Sequence, residues 1–108
     1  MSQIAYICSP YRGSADEIER NTIYARELVA LALLNDYVPL CPHLYLTQVL
    51  DDRNERDRVI GMQAGLELLL ACDVMIVGAR YGISEGMRAE IERAQSIGMR
   101  ILQAVATD

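Results

Sequence analysis

Short, largely apolar runs alternate along this chain with longer stretches whose apolar residues recur every three or four positions. That alternation restricts the fold more than any other feature. Ile4–Cys8 (IAYIC), Tyr37–Cys41 (YVPLC), Asp73–Gly78 (DVMIVG) and Met99–Val105 read as short strands, apolar but for Asp73, Arg100 and Gln103 and expected to be buried. Between them, Ala15–Asn35, Arg56–Ala71 and Ser84–Ile97 carry helical periodicity, and a short helical piece reaches Leu50 after the loop Pro42-His43-Leu44-Tyr45. On the first helix the expected apolar face is Ile18, Thr22, Ala25, Leu28, Val29, Ala32 and Leu33. On the second it is Val59, Ile60, Met62, Leu66, Leu69 and Leu70. Ser14 or Asp16 caps the first helix and Gly98 ends the last. Pro39, which has no N–H to give a ladder, puts the second strand at a sheet edge.

Strands apolar on both faces and joined by helices belong to a parallel sheet covered on both sides. The right-handedness of such connections then predicts an α/β, three-layer flavodoxin- or Rossmann-like sheet of four to five strands, in one domain over 1–108.

The formal charge of -5 argues against binding a nucleic acid polymer, whose phosphates call for clustered cations. Lysine is absent, so every cation is an arginine, a residue type suited to phosphate recognition. Cys8, Cys41 and Cys72 are an odd number with no CxxC pair, as expected of reduced core thiols in a cytoplasmic setting. One histidine and no ligand spacing predict no metal site, and no GxGxxG pattern predicts no dinucleotide cofactor. The opening MSQIAYICSP lacks the basic and long apolar regions of a signal peptide, and no apolar run approaches the ~18 residues of a membrane span.

In sheets of this kind ligands bind beyond the carboxyl ends of the strands. Those ends carry Ser9-Pro10-Tyr11-Arg12-Gly13, Pro42-His43 and Gly78-Ala79-Arg80-Tyr81-Gly82. The segment Ile83 to Glu90 is sharper. Ser84 is placed to cap the last helix, whose free N–H groups favour an anion or a sugar oxygen. Gly86 and Glu90, four residues apart, share a helical face, so the missing side chain leaves room above the carboxylate.

Taken in order, these pieces resemble the nucleoside 2-deoxyribosyltransferases and their relatives, the 2'-deoxynucleoside 5'-phosphate N-hydrolases. Ile4-Ala5-Tyr6-Ile7-Cys8-Ser9-Pro10-Tyr11 resembles the family's opening strand. Cys72-Asp73-Val74-Met75-Ile76-Val77 resembles its third strand. Ser84-x-Gly86-x-x-x-Glu90 resembles the segment that carries its nucleophile, closest to short phage and bacterial members.

The resemblance implies cleavage of the N-glycosidic bond of a (deoxy)nucleoside or nucleoside 5'-monophosphate through a covalent glycosyl-enzyme. Glu90 would be the nucleophile and Tyr6 would hold or polarise it. Ser84 would bind a sugar or phosphate oxygen, and Gly86, beside Met87, would give the sugar room. Serine at position 84 resembles the nucleotide-hydrolysing branch. Ser9 belongs to the same substrate-binding set, and Arg12 and Gly13 would suit a 5'-phosphate. His43 would contact the base. The family's acid, an aspartate in the helix before the third strand, has no clean counterpart, and Glu67 is the nearest carboxylate. The alternatives are a non-catalytic nucleotide-binding module on the same fold and an assembly protein. Relatives of this fold complete their sites from a neighbouring subunit, so a homodimer or higher homo-oligomer is expected.

Overall fold

A computed structural model describes residues 3–104. Four strands form one all-parallel sheet: β1 (Ile4–Cys8), β2 (Val38–Leu40), β3 (Val74–Val77) and β4 (Arg100–Gln103), in the order β2-β1-β3-β4. The helices are α1 (Ala15–Leu34), α2 (Glu55–Leu70) and α3 (Glu85–Ser96), with two single 3-10 turns at Pro42–Leu44 and Leu46–Gln48. β2 is an edge strand, and Pro39 sits there opposite Ala5. The expected extension of the last strand to Val105 lies outside the described residues.

Strand alternation divides the core in two. Ala5, Ile7, Val74 and Ile76 pack on Tyr24, Ala25, Leu28 and Ala32 of α1. Tyr6, Cys8, Met75 and Val77 face the other way, onto Leu69 of α2 and Met87 and Ala94 of α3. The result is the three-layer α/β arrangement that the alternating sequence pattern predicts. Register pairs Tyr6 with Met75 and Cys8 with Val77. The central strands β1 and β3 are neighbours whose chains continue to opposite edges. Their carboxyl ends therefore border the crevice in which open α/β sheets bind ligands.

Helix starts follow local chemistry. Ser14, not Asp16, caps α1: its Oγ accepts from the Glu17 N–H at 3.2 Å and Glu17 Oε1 accepts from the Ser14 N–H at 2.8 Å. Asn54 caps α2 and Ser84 caps α3. α3 gives way to β4 at Gly98, whose φ of 70° suits glycine.

Two apolar faces differ from expectation. On α1, Leu33 is exposed while Asn21 and Tyr24 are buried. Both of the latter bring their own partners: Asn21 Nδ2 donates to the Tyr11 carbonyl at 3.0 Å, and the Tyr24 hydroxyl accepts from the Arg80 N–H at 3.2 Å. A polar group so satisfied is tolerated inside. On α2, Val59, Ile60, Met62 and Leu70 stay exposed, and only Gly65 and Leu69 are buried. This helix leans on α3, and its amino-terminal half borders a cavity instead of the sheet.

Candidate functional site

That cavity, of about 370 Å³, opens beyond β1 and β2 and is walled by α2 and the start of α3. Tyr6 reaches it because its position in β1 turns it towards α3. Glu90 reaches it from the second turn of α3, six residues after the Ser84 cap. The Tyr6 hydroxyl donates to Glu90 Oε2 at 2.6 Å, a short, charge-assisted distance when the carboxyl is ionised.

Burial pushes the Glu90 carboxyl above the usual glutamate range, and hydrogen bonds from Tyr6 and Cys8 pull it partly back. Burial and the neighbouring Glu90 charge push the Tyr6 phenol and the Cys8 thiol well up, so both stay protonated and act as donors. Cys8 Sγ also lies 3.7 Å from the Met87 carbonyl, which accepts from it. The carboxylate is thus held from the sheet side by the neutral Tyr6 hydroxyl, and it faces the cavity.

The space around it is suited to a small molecule. At Gly86 an added Cβ would meet nothing within 4 Å, and this exposed residue lines the cavity. Ser84 Oγ accepts from the Met87 N–H at 3.2 Å, while the Ser84 N–H donates to Met87 Sδ at 3.5 Å. Ser84 is therefore a cap that also lines the cavity, and Met87 is a core residue whose edge does the same. Ser9, only 1% exposed, lines the cavity with an Oγ that has no hydrogen-bond partner among the described residues. Such a buried polar atom is one that a ligand can satisfy.

On the other wall His43 stacks on Tyr11 with ring centroids 5.5 Å apart and planes 23° apart. Burial lowers the His43 pKa, against the opposing pull of the Ser9 backbone and the Asp52 charge, so the ring is favoured neutral. Arg12 Nε forms an ion pair with Asp52 Oδ2 at 2.8 Å across the cavity rim.

Tyr6, Ser9, Arg12, His43, Ser84, Gly86, Met87 and Glu90 are thus brought to one cavity. Gly13 is not. It is exposed beside the α1 cap, where an added Cβ would stand 2.6 Å from Glu17 Oε1. Glu67 is also away from the site. Arg58, Gly61, Met62, Gly65 and Leu66 mark the cavity face of α2. At about 100° per residue, Glu67 falls on the opposite side of that helix, where it is exposed.

Residues 3–104 match a family described as a domain of unknown function, DUF7768. The chain belongs to this family. The match spans the sheet and the cavity alike, so the site lies wholly within the DUF7768 domain. A search of curated proteins finds none that matches the chain.

Among the cavity residues of this DUF7768 domain that escape a reading of the sequence are Asp52, Arg58 and Gly65. Gly65 did leave a signal, since a glycine inside a helix costs about 1 kcal/mol relative to alanine and marks a close approach. Asp52 and Arg58 sit in a charged run that is indistinguishable from ordinary solvated surface. Among the described residues, no group of three or more His, Cys, Asp or Glu is placed to hold a metal ion. No described helix is long and apolar enough to cross a membrane.

Proposed function

We propose that this protein cleaves the N-glycosidic bond of a (deoxy)nucleoside or nucleoside 5'-monophosphate, or transfers its sugar, with Glu90 as nucleophile. One observation carries the reading: a carboxyl held at 2.6 Å by the Tyr6 hydroxyl, on the wall of a cavity left open at Gly86. In the first step a Glu90 oxygen bonds to the anomeric carbon. The carbon–nitrogen bond breaks, and the base leaves with that electron pair and takes up a proton from solvent water. In the second step water or another base attacks the same carbon and frees the carboxylate. A carboxylate is the nucleophile such an oxocarbenium-like transition state requires, and Tyr6 stabilises its ionised form. The Tyr11–His43 stack offers a flat wall to the base.

The test is release of free base, followed by chromatography, from a panel of 2'-deoxynucleosides and their 5'-monophosphates. Base release that falls at least a hundredfold in Glu90→Gln is expected. No release from any substrate, or equal release by Glu90→Gln, overturns the reading.

A second reading rests on Glu67. With that carboxyl turned away, α2 offers no acid to the leaving group, which favours a non-catalytic nucleotide-binding module. Thermal stabilisation by nucleotides without turnover would select it.

The protein acts in this account as a homodimer or larger homo-oligomer, supported by the exposed Val59, Ile60, Met62 and Leu70 on the helix that walls the cavity. A pure monomer by light scattering would remove that part. A cytoplasmic location is supported by three buried free cysteines, two of which, Cys41 and Cys72, have thiols pushed up to about 11 by burial.

A further inference from the structure

Each arginine on the cavity wall faces a carboxylate. Arg12 Nε lies 2.8 Å from Asp52 Oδ2, and Arg58 Nη1 lies 3.8 Å from Glu55 Oε2. Asp52 itself lines the cavity, as does Glu85, so the wall carries Arg12 and Arg58 against Asp52, Glu85 and Glu90. No net positive charge is left for an incoming dianion. We infer that Asp52 is a specificity-determining residue that holds Arg12 and excludes 5'-phosphorylated substrates, so that the cavity takes an uncharged nucleoside. This inference rests on the proposed function for the class of ligand and narrows it.

The physical argument concerns distance and desolvation. A phosphate held by Arg12 lies beside the Asp52 charge, well within the roughly 8 Å screening length at physiological ionic strength. The pair is partly exposed, so salt weakens that repulsion without abolishing it at so short a range. Binding a phosphate to Arg12 would either displace a formed ion pair or add a second anion to a guanidinium that Asp52 already holds through Nε. An uncharged sugar hydroxyl asks for neither. Ser9 Oγ, buried and without a partner among the described residues, can bond a sugar hydroxyl or a base carbonyl, so a neutral ligand has a polar anchor here without a cation. The pair joins the loop after β1 to the segment before α2. It is only partly buried, so its removal leaves the hydrophobic core intact.

The test is calorimetric binding of thymidine, deoxyadenosine and their 5'-monophosphates to wild type and Asp52→Asn. The variant's fold is checked by its melting curve, and Asp52→Ala serves as a second variant. Wild type is expected to bind the nucleoside about tenfold or more tighter than its monophosphate, as like-charge rejection does elsewhere. Asp52→Asn is expected to narrow that ratio by about tenfold, chiefly through tighter monophosphate binding. Wild type binding the monophosphate as well as or better than the nucleoside overturns the inference. So does a ratio that neither substitution moves, and so does the absence of binding of either ligand. Because the readout is binding, the preference stands or falls separately from turnover. Discrimination without base release sinks the proposed reaction and leaves Asp52 as the filter.

Discussion

Gly65 of α2 stands directly over Tyr6: a methyl group there would lie 3.2 Å from the Tyr6 hydroxyl and 3.6 Å from Glu90 Oε2. The first distance is tighter than a side chain accepts without its neighbour giving way, and the neighbour is the donor that holds the carboxylate. Gly65→Ala adds about 1 kcal/mol of helix propensity, which offsets the crowding, so the melting temperature should move by only a few degrees. Base release should fall by about tenfold to a hundredfold, because small misplacements of reacting groups cost that much. Unchanged turnover in this variant would show that the pair tolerates displacement.

Tyr6→Phe removes one hydroxyl from the buried face of β1. The lost hydrogen bond favoured ionised Glu90, so the carboxyl rises further above the ordinary glutamate range. The nucleophile must be ionised to react, and the acid limb of the kcat/KM profile should therefore move to higher pH. A hydrogen bond to a charged group is worth about 1.5–3 kcal/mol, which sets the scale of the loss at neutral pH. A pH–rate profile of both proteins decides it; superimposable acid limbs contradict the assigned role of Tyr6.

Glu90 also makes stability depend on pH. Its carboxyl is raised in the folded protein, chiefly by burial, so the folded state binds its proton more tightly than the unfolded chain. The stability linked to that proton is full below the ordinary glutamate value of 4.5 and is lost as pH rises through the raised value. Glu90→Gln carries no such charge. The variant should be more stable than wild type to urea at neutral pH, with the difference shrinking below about pH 4. Equal stability at every pH would mean the carboxyl is not desolvated. A gain in stability on removing a functional group is the usual trade at a binding site.

Much of this arrangement is legible in the sequence, and the reasons are local. Apolar runs of four or five residues specify β1 and β3, Pro39 marks the edge, and Ser84, Gly86 and Glu90 are tied together by helical spacing alone. Tyr6 meets Glu90 across 84 residues, which periodicity cannot supply; the resemblance to a known family paired them, and the geometry brings them together. Sequence periodicity reports which residues line one face of a helix, not what that face meets. It therefore counted the apolar face of α2 as core when much of it borders a cavity or solvent. Glu67 entered only as the carboxylate nearest to the acid that the family resemblance calls for, and α2 turns it away. Asp52 was missed because an ion pair between two loops has no spacing signature.

Ser84 has two roles that substitution separates. Ser84→Ala removes the α3 cap and should cost about 1 kcal/mol of stability. Ser84→Asp restores a capping oxygen and should recover that stability by melting curve, while adding a negative charge to the cavity and weakening base release. Recovery of both together would reduce Ser84 to a cap.

The role of Glu90 as nucleophile is tested most directly by intact-protein and peptide mass spectrometry after incubation with a slow 2'-fluoro-2'-deoxynucleoside. Wild type should gain the mass of one glycosyl group on the peptide that contains Glu90, and Glu90→Gln should gain none. Base release from wild type with no adduct on that peptide, or an adduct of equal yield in Glu90→Gln, would contradict it.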